Sequence, residues 1–218
     1  MKFAVATFNT ENLITAEKPI YNAADVRYTN TQYDAKTDWV RRQLVRMDTD
    51  IIGFQEIFET EALRDCLRGT RMENWHLVAA EPCGKLPVNA ILSRFPIVKT
   101  EIIRNIPFAF DFFDDKAMSP ESTHVVIPVQ KFSRGVLCAD IQIDEKTVVT
   151  VIVAHLKSKR PTLPEGTDRN EASYTELAKG SIRGLIRRGI EACGLRQILS
   201  DAITNKPAQP VKIGRAHV

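Results

Sequence analysis

The chain alternates between short, nearly continuous apolar runs and longer stretches with helical spacing. The first run, KFAVATFN from Lys2, is apolar on almost every side chain and closes on Asn9, the pattern of an inner strand covered on both faces. Residues 14–36 are polar, with Tyr21, Tyr28 and Tyr33 interspersed, and predict a long loop. TDWVRRQLVRM then sets Trp39, Val40, Gln43, Leu44 and Met47 at helical spacing behind a Thr37 or Asp38 cap. A second inner strand, 51–55, follows, so that a strand-helix-strand unit ends on Glu56. Further strands are expected at 75–80, 88–92, 98–104, 123–129, 136–143 and 147–154, the last two joined as a hairpin through Asp144–Lys146. From 171 to about 204 the spacing is helical, as one helix or as two. Gly180, Gly184, Gly189 and Gly194 each weaken it by roughly 1 kcal/mol relative to Ala. Many strands with helices early and late imply an α/β sandwich of mixed sheets.

Composition narrows this picture. A chain of 218 residues with 44% hydrophobic content supports one sizeable core, so one domain is expected. Thirty Lys plus Arg against 27 Asp plus Glu leave +3, too small a surplus to indicate nucleic-acid binding by bulk electrostatics; a phosphate-bearing substrate stays open. Cys66, Cys83, Cys138 and Cys193 form no C-x-x-C pair, which argues against a zinc knuckle or dithiol site and for reduced, packed thiols. MKFAVATFNTENL is polar by Thr7 and Asn9, poor material for a signal peptide, and no apolar stretch reaches membrane-spanning length. A cytoplasmic monomer is the expectation.

Candidate chemistry collects where strands stop. Asn9 follows VATF, Glu56 follows IIGFQ and His155 follows VTVIVA; strand ends meet at a sheet rim, so the three side chains can converge from distant parts of the sequence. Glu56 offers a hard anionic oxygen suited to magnesium, which takes one or two carboxylates and completes its shell with water and substrate phosphate. Equally, it is an exposed or Arg-paired carboxylate at a strand end. Asn9 either orients that carboxylate or forms an Asx turn. His155 either donates to a phosphate oxygen or is a packed histidine. HLKSKRP supplies Lys157, Lys159 and Arg160 as cations and Ser158 as a hydroxyl, a phosphate cradle or a solvated basic loop. Arg134, in FSRGVLCADI, reaches the same rim or flanks a turn with Gly135.

Together FNTENL, DIIGFQE, FSRGVLCADI and VIVAHLKSK resemble, in order and spacing, the endonuclease/exonuclease/phosphatase superfamily of DNase I-like proteins. The likeness runs from Lys2 to about Lys212. It implies a four-layer α/β sandwich, two mixed sheets between helices, and phosphoester hydrolysis by in-line attack of water with magnesium, or manganese, as cofactor. Carried over by motif position, Glu56 is the metal ligand and Glu11 a weaker metal candidate. By the same carry-over Asn9, His155 and Arg134 are the catalytic groups, and Lys157 and Ser158 the substrate-side contacts. The substrate class extends over DNA, RNA, lipid headgroups and inositol phosphates, so nucleic acid is one candidate partner. The loop at 14–36 and FAFDFFDDKAMSPES from Phe108 are expected to frame the pocket or to be surface insertions.

The resemblance breaks in one respect. The family's Gly-Asp-x-Asn and later Ser-Asp-His are absent, and the last strand, begun as QPVKIG, runs into Arg215-Ala216-His217-Val218. IGRAHV is also the translation of a common sequencing adapter in one frame (atc gga aga gca cac gtc, then tga). The expectation is therefore an incomplete domain over 1–212, inactive on its own, followed by a non-native tail at 213–218 in which His217 has no functional reading.

Overall fold

The computed structural model describes residues 2–21, 26–112, 125–206 and 210–215. In chain order the elements are β1 (Val5–Leu13), α1 (Asn30–Met47), β2 (Ile51–Ile57), α2 (Thr60–Leu67), β3 (His76–Ala79), β4 (Val88–Ser93) and β5 (Ile97–Asn105). They continue with β6 (Phe110–Phe112), β7 (Val125–Ile127), β8 (Lys131–Gln142), β9 (Val148–Ala154), α3 (Tyr174–Asn205) and β10 (Val211–Arg215). One sheet has the order β1-β2-β4-β3, the other β10-β9-β8-β5, and β6 and β7 form a two-stranded ribbon. Both four-stranded sheets are mixed: β1 runs parallel to β2 and β10 to β9, whereas β4 is antiparallel to β2 and β8 to β9. The fold is thus α/β with two mixed sheets and helices, as the sequence pattern implies.

The chain divides into two compact units. The first comprises Met1–Ile103, Arg134–His155 and Lys206–His217. Within it, alternation along each strand sorts side chains between two cores. Ile52 and Phe54 of β2 join Leu13, Leu44, Leu63 and Leu92 in a cluster with α1 and α2. Ile51 of β2 instead joins Ile91, Leu137, Val151 and Val153 in a cluster shared by the two sheets. Gly53 lies on that second face, and a Cβ built on it would stand 2.7 Å from Val153 Cγ2. Only glycine lets β2 and β9 approach this closely. Gly53→Ala is therefore expected to destabilise the protein by about 1–3 kcal/mol, the usual cost of overpacking a filled core. Adding Val153→Ala should recover part of that loss. Urea unfolding measures both, and a single variant as stable as wild type would contradict the close approach.

The second unit comprises Arg104–Ser133 and Leu156–Asn205. Helix α3 is continuous over 32 residues, which settles the choice between one helix and two. Three of its four glycines have a packing reason; Gly189 faces open space. A Cβ on Gly180 would meet Pro161 and Leu163 at 3.0 Å, one on Gly184 would meet the Arg160 carbonyl at 3.1 Å, and one on Gly194 would meet Phe132 at 3.0 Å. The segment after β9 thus lies directly against the helix backbone, which offsets the lost helix propensity. Glu191, fully buried, accepts from the Ser133 N–H (2.7 Å), the Ser133 hydroxyl (2.6 Å) and the Lys157 N–H (2.6 Å).

Some expectations are corrected. Helix α1 starts at Asn30, not behind Thr37 or Asp38, because Thr29 caps it and Gln32 returns the bond, a reciprocal capping box. The loop after β1 is shorter by that margin. Helix α2 was not among the expected elements, although Ala62, Leu63, Cys66 and Leu67 are buried at helical spacing. The four cysteines are unpaired, as expected, yet Cys83 and Cys193 are exposed rather than packed. Residues 113–122 of the acidic aromatic stretch, 123–124 of the strand expected there, and the tail residues 216–218 lie outside the described residues. Among the described residues, no helix is long and apolar enough to cross a membrane.

Candidate active site

Strand β2 is hidden until its end: Ile51 through Gln55 are buried and Glu56 is the first partly open position. Strict alternation would put Glu56 on the face of Ile52 and Phe54, inside the apolar cluster with α1 and α2. The pairing register with β4 slips between Phe54 and Ile57, and Glu56 adopts φ 64°, a left-handed conformation rare for a non-glycine residue. Bulges of this kind bend a strand and re-aim a side chain. The Glu56 carboxylate is thereby carried to Asn9 and His155.

There the carboxylate is held on both oxygens. Asn9 Nδ2 donates to Oε1 at 3.1 Å and the Asn12 backbone N–H donates to Oε2 at 3.0 Å. Asn9 is itself fixed, because its Oδ1 accepts the Glu11 N–H at 2.9 Å; it forms an Asx turn and orients the carboxylate at once. A second register slip, between Asn9 and Leu13 of β1, accommodates this turn, in which Glu11 and Asn12 both have positive φ.

His155 follows β9 and comes within 3.6 Å of Glu56 Oε1 through Nε2, its side chain only 2% exposed. That distance is a contact rather than a hydrogen bond. Burial, and secondarily the charge of Arg134, pushes the imidazole down to about 3, so it is neutral at pH 7 and the pair is not a salt bridge. Its Nδ1 is buried without a hydrogen-bond partner among the described residues, and so is Nε of the half-buried Arg134. Buried polar atoms left this way are costly and concentrate at functional sites.

The structure therefore brings Asn9, Glu56 and His155 together, with Arg134 near enough to act on the imidazole. The Glu11 side chain is exposed, and its carboxylate lies within electrostatic range of the Tyr28 phenol. Lys157 and Ser158 belong to the second unit. There the Lys157 ammonium donates to the carbonyls of Ser158 (3.3 Å) and Arg160 (3.1 Å), winding the loop around its own charge. Sequence reasoning missed Asn12, Tyr28 and Lys36. Tyr28 and Lys36 both donate to the Glu11 carbonyl, at 3.3 and 3.1 Å. Only a helix start at Thr29 would have turned Lys36 toward this turn. Among the described residues no three His, Cys, Asp or Glu side chains converge as a metal-holding group.

Neither a family model nor a curated protein matches this chain. Solved structures do. Truncated TDP2 of Caenorhabditis elegans superposes with a TM-score of 0.54 at 13% identity over 98% of this chain and 61% of its own. A beta-hairpin deletion mutant of beta toxin from Staphylococcus aureus gives a TM-score of 0.52 at 16% identity, over 98% of this chain and 66% of its own. A humanized TDP2 of D. rerio gives 0.51 at 12% identity, over 98% and 61%. At such identities the likeness establishes the fold. The chain has the α/β fold of these structures, the DNase I-like arrangement of two mixed sheets with helices. It spans under two thirds of the length of these solved chains.

Proposed function

We propose that this chain carries the metal-binding part of a divalent-metal-dependent phosphoester hydrolase acting by in-line attack of water. The observation that supports this most is the re-aimed Glu56. A carboxylate turned out of an apolar cluster at the cost of a left-handed backbone, and oriented by an amide and a peptide N–H, is arranged for a hard ligand. The residues fit magnesium or manganese, since such an ion needs one or two protein carboxylates and leaves its other positions to water and phosphate. Glu56 would hold it, with Glu11 the second candidate. When bound, the ion supplies charge neutralisation at the phosphoryl group. Asn9 keeps the Glu56 carboxylate in place. Neutral His155 offers a ring N–H as a hydrogen-bond donor to a phosphoryl oxygen, and Arg134 contributes positive charge. The substrate is a phosphoester, with nucleic acid, lipid headgroup and inositol phosphate all compatible.

The family's Gly-Asp-x-Asn and Asp-His are absent from 1–218, and we propose that the native polypeptide continues beyond Lys212. Purified 1–218 is expected to show little magnesium-dependent turnover of bis-p-nitrophenyl phosphate. The intact gene product is expected to turn it over and to lose that activity in Glu56→Ala. Turnover by 1–218 that disappears in Glu56→Ala would overturn the proposed inactivity. An intact protein that binds phosphate but cleaves no phosphoester would instead identify a binding module on the same fold.

A further inference from the structure

One peptide group beside Glu56 is held at both ends. The N–H of the Glu11–Asn12 peptide donates to Glu56 Oε2 at 3.0 Å. Its carbonyl, which in a trans peptide points the opposite way, accepts from Lys36 Nζ at 3.1 Å and from Tyr28 Oη at 3.3 Å. Glu11 at φ 54° and Asn12 at φ 58° are both left-handed, and two such residues in succession are unfavourable unless the surroundings enforce them. The grip comes from separate parts of the chain. Tyr28 precedes the Thr29 cap, and Lys36 lies on the second turn of α1. The phenol of Tyr28 is shifted upward by burial first and then by the charges of Glu11 and Glu56, which places it in the field of both carboxylates.

A cation and a hydroxyl on one carbonyl polarise the amide and strengthen its N–H as a donor. We propose that Lys36 and Tyr28 are positioning residues for Glu56: by gripping the Glu11 carbonyl they fix and polarise the Asn12 N–H, which holds the carboxylate in its ion-binding orientation. The proposal rests on the functional reading above for the ion, but not for the grip itself. Two effects of losing Lys36 oppose one another. Removing a partly solvated cation several ångströms from the ion would tighten binding roughly twofold or threefold. Losing an outer-shell orienting contact weakens metal affinity by about 10–100-fold. Orientation wins.

The test uses 1–218 and has two readouts. In the metal-free protein, the Asn12 amide proton resonance is expected to move upfield in Tyr28→Phe and in Lys36→Met, and to stay near the wild-type position in Lys36→Arg. In isothermal titration with Mn2+, the first two variants are expected to bind about tenfold more weakly, with Lys36→Arg close to wild type. Tyr28→Phe changes no charge, so it separates orientation from electrostatics. An unmoved Asn12 resonance, or Mn2+ affinity that is unchanged or tighter in both variants, would overturn the proposal. If wild-type protein binds no Mn2+, the metal reading fails and the claim on affinity falls with it. The Asn12 resonance then still decides the grip.

Discussion

Glu56→Gly and Glu56→Ala are expected to abolish divalent-ion binding alike, while differing in stability in the direction opposite to the usual one. Glycine in a strand is ordinarily the less stable choice, by about 0.5–1 kcal/mol relative to alanine. At position 56 the backbone sits at φ 64°, where a Cβ costs about 1–2 kcal/mol. The Gly variant should therefore be the more stable of the two by roughly 1 kcal/mol, the conformational term exceeding the entropic one. Both variants remove the acceptor of Asn9 Nδ2 and of the Asn12 N–H, so that loss cancels in the comparison. Both remove the carboxylate these groups orient, so Mn2+ affinity should fall by more than the 10–100-fold typical of outer-shell changes. Calorimetric titration and urea unfolding on the same preparations give the two numbers. Alanine equal to or above glycine in stability would mean that the left-handed geometry is not strained. Retained Mn2+ affinity would remove Glu56 from the site.

How this site was encoded is uneven along the chain. Its ingredients were legible: apolar runs ending in Asn9, Glu56 and His155 mark strand ends, and strand ends in stacked sheets share a rim. Period-two alternation alone, however, would have buried Glu56 with Ile52 and Phe54. The register slip that turns it outward depends on pairing with β4 and on the turn after Asn9, which are properties of three strands together and not of one. The start of α1 was written in Thr29-Asn30-Thr31-Gln32, a capping box whose polar residues look like loop until both of its bonds are seen. Missing it moved Lys36 off the helix and away from Glu11. The glycines of α3 read as helix-weakening because propensity counts only the helix. The use of Gly180, Gly184 and Gly194 lies in chain segments packed against them from outside the helix.

Glu191 is the clearest case in which a sequence signal stood in view without an obvious reading. A charged residue between Ile190 and Gly194, on the face that also carries Leu195 and Ile198, should not be buried, yet it is fully so. Its oxygens are shared out completely enough to offset desolvation: the Ser133 N–H and hydroxyl on one, the Lys157 N–H on the other. Arg187 adds a charge at 3.6 Å and itself donates to the Ser133 hydroxyl at 2.9 Å, and Arg188 donates to the Lys157 carbonyl at 2.7 Å. One carboxylate thus fixes two separated segments to the same helix. Glu191→Ala would leave two backbone donors and a hydroxyl without an acceptor in a buried place. The expected cost is about 3–5 kcal/mol, since each such orphan costs about 1–3 kcal/mol and the hydroxyl can partly recover by rotation. In a chain of this length that lowers the melting midpoint by on the order of 10 °C. Glu191→Gln should fall between, because its amide keeps one acceptor but presents an NH2 group to a facing N–H. An alanine variant within about 0.5 kcal/mol of wild type, the range of ordinary surface changes, would show that α3 is held by its glycine contacts and not by this carboxylate.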